Sequence, residues 1–280
     1  MNQVVNHGFI LEDIVLDEHY VLGSYGSLGG EVINPNRDWI TARPIYKDVQ
    51  NKNGFETYAC TNFATDNAEE ILLKYQYGID IDYSDRWFAK KSGTSIERQG
   101  NSPHAVAEFR RKNGIILEKD WKFDDSIKTA EEFYAEPPKK LDTLASTTLA
   151  EYKFEHEWVP TTAKALYDAL QYSPLGFSVY AWEKDSDGYY RKPKGAIDTH
   201  WTCCVYAEWG KYWLMYDSYM DNGELLKRVR WDALPLQAKR YKITRQVVNQ
   251  TFWDIFLKFI NQIVFGKKYG KILQGIVGNN

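Results

Sequence analysis

Apolar or small residues recur at Cys60, Phe63, Ala64, Ala68, Ile71, Leu72 and Tyr75. They form one stripe of a 3.6-residue period and predict a helix over 60–76. Gly78 follows where a C-capping glycine belongs. A second helix is predicted over 103–113, opened by Pro103 and closed by Asn113-Gly114. A third, over 128–136, stops at Pro137-Pro138, and a fourth, over 161–171, precedes Ser173-Pro174.

The pattern then changes. The stretches 176–182, 199–209, 211–219 and 225–231 are rich in β-branched and aromatic residues, and turn signals separate them. "DSDGYY" and "EWGKYW" read as hairpin turns. A helical first half and a mostly antiparallel second half predict an α+β fold of two lobes. Residues 1–45 read as an irregular lead-in. Gly23, Gly26, Gly29 and Gly30 lie there, but no helix pattern follows that would make a phosphate loop. At the other end Val248, Phe252, Ile255, Phe256, Phe259, Ile260 and Ile263 predict an amphipathic helix within 245–273, followed by Lys267 and Lys268. Its apolar stripe suits docking on the chain's own core, on another copy or on a larger assembly. Lying on a membrane surface is the weaker reading.

Composition narrows the classes. A net charge of −3 gives no argument for nucleic-acid binding. The three cysteines are Cys60 and the adjacent pair Cys203-Cys204; an odd count with an adjacent pair is not a disulfide framework. The fold is expected to hold without bridges, in a reducing compartment. The N-terminus has no basic start with a long apolar run, and no window holds eighteen uninterrupted apolar residues. A cytoplasmic protein or a phage-particle component fits these features. No His and Cys cluster has metal-ligand spacing, so no metal or other cofactor is expected.

The chemistry centres on Cys60, at a helix N-terminus where the dipole favours a thiolate. Such a nucleophile needs an imidazole partner. His7 and His19 read as surface residues, His104 as a surface or cleft-wall residue, and His156, among the acids of "FEHEW", as a solvated strand or loop residue. His200 opens an apolar strand, so a rigid element would hold it at a cleft. A hairpin between 200–208 and 212–218 would return Asp217 beside His200, supplying a group that orients the ring.

The order Cys60, His200, Asp217, with gaps of 140 and 17 residues, resembles the papain-like cysteine peptidases. "ACTNFA" resembles the family's nucleophile helix, and "AIDTHWTCCVYAEW" its histidine strand. "RQGNSPHAVAEFRRKNGI" resembles its glycine-bearing cleft segment and following helix, and "LGFSVYAW" the strand that opens its right-hand lobe. The resemblance spans residues 45–232. Thr61 stands in place of the family's Trp, Asp217 of its Asn and Tyr219 of the Trp that shields that side chain. The family's bridges and long propeptide have no counterpart.

The resemblance implies a domain over 46–240 between the lead-in, a possible short pro-segment, and a helical extension over 241–280. It implies attack of Cys60 on a peptide carbonyl of a protein or peptide substrate, with His200 as base and then acid and Asp217 orienting it. It implies an oxyanion hole from the Cys60 N–H and a side-chain amide, for which Gln50 is the first choice and Asn53 the alternative. Gly100, Asn101, Thr199 and Tyr219 would line the substrate cleft. The departures leave room for an inactive fold kept as a structural or peptide-binding module, and a cell-wall amidase is the third reading. The combination suits a divergent microbial or phage-type member.

Overall fold

A computed structural model describes residues 7–14, 21–22, 27–45, 49–221 and 223–246. His19 lies outside them, as does the helix expected within 245–273 save its first two positions.

Helix α1 (Cys60–Tyr77) ends at Gly78, whose φ of 68° is the left-handed C-cap conformation. Every residue from Cys60 to Leu73 is buried. The apolar stripe is therefore one face of a helix enclosed on all sides, and its polar face needs partners. Arg110 of α3 (Pro103–Asn113) supplies them. It pairs with Asp66, lies 3.0 Å from Glu69 and sits over the Tyr83 and Phe88 rings. Glu70 accepts the Tyr83 N–H at 2.8 Å.

Between these helices lies α2 (Asp85–Ser92), which the charged sequence DRWFAKKS did not announce; Ser84 caps it by accepting the Trp87 N–H. The helix expected over 128–136 is a single turn, α4 (Ala130–Phe133), closed by a Thr129–Glu132 capping box. Then follow α5 (Lys140–Glu151) and α6 (Ala163–Ala169).

Eight strands form one sheet: β1 (Tyr152–Val159), β2 (Leu175–Val179), β3 (Glu183–Lys184), β4 (Tyr190–Arg191), β5 (His200–Glu208), β6 (Tyr212–Asp221), β7 (Glu224–Arg230) and β8 (Ala238–Arg245). Their spatial order is β1-β8-β2-β5-β6-β7-β4-β3, and every pair is antiparallel except β4 with β7. A side chain on Gly176 of β2 would collide with the buried Trp201 indole and the Tyr241 hydroxyl, so only glycine lets these rings fill the sheet's face. Cys203 and Cys204 are free and fully buried.

The second part of the lead-in is woven into this body. Trp39 is fully buried, its backbone N–H on Val205 O and its indole N–H on Leu170 O. No helix among the described residues is long and apolar enough to cross a membrane.

Candidate active site

Cys60 is the first residue of α1, and no acidic residue occupies that turn. The backbone N–H of Trp201, next to His200, favours the Cys60 thiolate. The thiol is fully buried. Burial pushes its pKa well up, the Glu56 and Asp217 carboxylates add to that, and the N–H groups of Trp201 and Thr61 oppose it. In this form the sulfur is held as a neutral thiol.

His200 begins β5. The strands pair Cys203 opposite Tyr216, and continuing that register sets His200 diagonal to Asp217 on one face. His200 Nε2 lies 2.5 Å from Asp217 Oδ1. A carboxylate accepts, so Nε2 carries the proton, and Nδ1 has no partner among the described residues. The rings of Trp182, His7 and Tyr219 enclose the imidazole at 5.7, 5.7 and 5.2 Å. Burial lowers the His200 pKa, His7 and Lys227 lower it further, and Asp217 opposes them.

Asp217 Oδ1 also accepts the Ser218 N–H at 2.9 Å, and Oδ2 accepts from Lys227 Nζ at 2.7 Å. Burial would raise its pKa, but His200 and Lys227 outweigh that and hold it below the ordinary carboxylate range.

Gln50 is fully buried. Its backbone N–H donates to Ser218 O at 3.0 Å, and its Oε1 accepts from Ser218 Oγ at 2.7 Å. Its Nε2 points to Glu56 Oε1 at 2.9 Å and to the Tyr219 hydroxyl at 2.6 Å. Asn53, the alternative donor, is elsewhere: its amide donates to Asp124 O and Ile127 O at 2.8 and 2.7 Å, tying down a loop.

Glu56 is a cleft residue that sequence reasoning missed. It accepts from Gln50, from the Tyr58 N–H at 2.8 Å and from the Tyr219 hydroxyl, and it lies 3.7 Å from His7 Nδ1. Burial pushes its pKa up, but hydrogen bonds from His7, Tyr219, Tyr58 and Gln50 prevail and lower it. Its loop carried no periodic signal; its only cue was its position four residues before Cys60.

Residues 7–10 lie across this candidate site. The His7 N–H donates to Thr199 O at 3.0 Å, the Asn101 N–H to Gly8 O at 3.0 Å, and the Ile10 N–H to Asn101 O at 3.1 Å. Phe9 pairs with Asn101 in parallel and stacks on Trp201 at 5.6 Å. Gly8 (φ 108°) and Gly100 (φ 128°) make this possible: a side chain on the first would meet the Tyr58 carbonyl, and one on the second would meet the Gly8 carbonyl. Gly100, Asn101 and Thr199 thus surround residues 7–10, with Tyr219 on His7 at 3.2 Å. His7, read as a surface residue, instead packs beside His200, because the lead-in turns back through the cleft.

His156 also departs from expectation. It is buried on β1, its Nε2 3.0 Å from Glu108 Oε1 and its Nδ1 3.2 Å from Lys239 Nζ; burial lowers its pKa to about 3. His104 stacks on Trp158 beside it. Among the described residues no group of three or more His, Cys, Asp or Glu could hold a metal ion.

No family model matches the chain, and no curated protein does. Solved structures do. Procathepsin L2 proteinase from Tenebrio molitor larval midgut superposes with a TM-score of 0.58 at 16% identity, over 85% of this chain and 78% of that one. The ragweed pollen allergen Amb a 11 cysteine protease in its proform gives 0.52 at 14% identity, over 76% and 67%. The Carica candamarcensis cysteine protease CMS1MS2 in complex with E-64 gives 0.52 at 17%, over 73% and 96%. The chain therefore has the α+β fold of the papain-like cysteine proteases.

Proposed function

We propose that the chain is a thiol peptidase acting on protein or peptide substrates, described here with its N-terminal segment lying across its own cleft. The observation that carries this reading is the His200 imidazole. It is held through Nε2 by Asp217, and its Nδ1 has no partner among the described residues. Cys60 attacks the carbonyl as its proton passes to His200, giving a tetrahedral oxyanion bound by the Cys60 N–H and Gln50 Nε2. His200 protonates the leaving amine, and water then hydrolyses the thioester.

The parallel pairing of Phe9 with Asn101 and the protonated thiol support a resting form. Residues 7–10 cover the site, so displacing them rehydrates the sulfur and lowers its pKa. The same protonated thiol, with Glu56 against the Gln50 amide, is also what a peptide-binding module without activity would contain.

Hydrolysis of an unstructured protein such as casein separates the two readings. The Gly8→Val full-length variant cannot seat residues 7–10 and should cleave faster than wild type, with Cys60→Ser inactive. No cleavage by either protein would leave the binding module, and release of peptidoglycan fragments instead would mark an amidase.

A further inference from the structure

Side chains along β7 alternate in and out: Leu225, Lys227 and Val229 are buried. A lysine on an inward row of a strand is out of pattern unless something there holds its charge. Lys227 is 2% exposed, and its ammonium meets Asp217 Oδ2 at 2.7 Å, the Tyr219 carbonyl, and the face of Trp182 at 5.2 Å. Asp217 divides its two oxygens between His200 and Lys227.

We propose that Lys227 is a positioning residue for the Cys60–His200 pair: it neutralises Asp217, so that the buried Asp217–Lys227 couple presents to His200 the acceptor of an uncharged amide. The inference rests on the peptidase reading.

A lone buried carboxylate beside an imidazole favours the imidazolium strongly. An imidazolium beside Cys60 favours the thiolate, so the charge on Asp217 sets how the one proton is shared between Cys60 and His200. Lys227 cancels that bias while leaving Oδ1 as acceptor, and its second bond, to the Tyr219 carbonyl, fixes the strand that carries Asp217. The titratable and charged groups that bear on His200 are Asp217 and Tyr219 on β6, Lys227 on β7 and His7 on the N-terminal segment. Lys227 has no other carboxylate partner among the described residues.

The test compares full-length wild type, Lys227→Met, Asp217→Asn and Asp217→Asn/Lys227→Met. Three quantities are read: the His200 pKa by imidazole NMR, the melting temperature, and the pH profile of Cys60 alkylation by iodoacetamide. Lys227→Met should raise the His200 pKa by about one unit or more. Asp217→Asn leaves the ammonium buried without a counter-charge, so both single variants should melt below wild type. The double variant should return the His200 pKa and the pH profile of Cys60 alkylation toward those of wild type, and melt above either single variant. An unmoved His200 pKa in Lys227→Met, or a double variant no better than the worse single variant, overturns the proposal. The NMR titration decides this whether or not the protein hydrolyses peptides, so failure of the peptidase reading is seen separately, as Cys60 alkylation in wild type that His200→Ala does not slow.

Discussion

His200 Nε2 and Asp217 Oδ1 stand 2.5 Å apart on neighbouring strands, and both side chains are fully buried. The bond assigns the proton to Nε2 and leaves Nδ1 as the only ring nitrogen able to take a proton from Cys60. Asp217→Ala should therefore cost more than a hydrogen bond, because the ring can then flip and change tautomer. Peptide hydrolysis should fall by about 10²-fold or more, with KM little changed, as for loss of an orienting group that acts on the chemical step. An equal rise in KM would place Asp217 in substrate binding instead.

Gly8 lies against the Tyr58 carbonyl with no room for a side chain, and Gly100 lies against Gly8 in the same way. Gly8→Val should expel residues 7–10 while leaving the core helices and sheet intact. The expected outcome is a higher rate of peptide hydrolysis and a lower thiol pKa in the pH profile of Cys60 alkylation. An unchanged rate, with the fold retained by circular dichroism, would show that the segment is not a barrier.

Glu56 sets a carboxylate where an oxyanion donor points, and its charge helps keep Cys60 protonated. Glu56→Gln removes the charge and keeps the shape. Alkylation of Cys60 at neutral pH should speed up, because the thiol limb of the profile moves to lower pH. Gln50→Ala should lower kcat by about 10²- to 10³-fold, the usual cost of one oxyanion donor. Matched pH profiles for Glu56→Gln and wild type would remove Glu56 from the electrostatics of the site.

The sequence carried helix α3 at its full bounds, because Ser102-Pro103 and Gly114 mark its ends, and α1 within a residue, because of its long period and Gly78. It carried the four strands of the β2-β5-β6-β7 run, where aromatic and β-branched residues cluster, and hence His200 and Asp217 on adjacent strands. Strands β1 and β8 were not legible. Tyr152–Val159 and Ala238–Arg245 carry charged residues at positions that the sheet buries, and these are satisfied only in three dimensions, as Arg240 is by Glu157 and Lys239 by His156 and the Trp158 ring. Lys227, Glu56 and the role of His7 were hidden likewise: Lys227 is explained by Asp217 on the neighbouring strand, His7 by Tyr219 far along the chain, and Glu56 by Gln50 and Tyr58 in a loop with no period.

Lys239 offers a test of the fold itself. Its ammonium is buried over Trp158 at 3.6 Å, and burial lowers its pKa to about 7. An unfolded lysine titrates near ~10.4. Between these values the folded chain binds fewer protons than the unfolded one, so this side chain makes stability rise with pH from about 7 to about 10. Lys239→Met should remove that rise. The difference in unfolding free energy between variant and wild type should shrink on the order of 4 kcal/mol across the window, the variant gaining most at neutral pH. Parallel stability curves would mean that Lys239 titrates normally.

The central claim is an activated Cys60–His200 pair, and active-site labelling tests it most directly. Full-length wild type, Gly8→Val and His200→Ala would each be treated with a biotinylated epoxysuccinyl peptide, and the modified cysteine mapped by mass spectrometry. The account predicts modification of Cys60 alone, faster in Gly8→Val than in wild type and lost in His200→Ala. Slow modification spread over Cys60, Cys203 and Cys204, indifferent to His200→Ala, would contradict it.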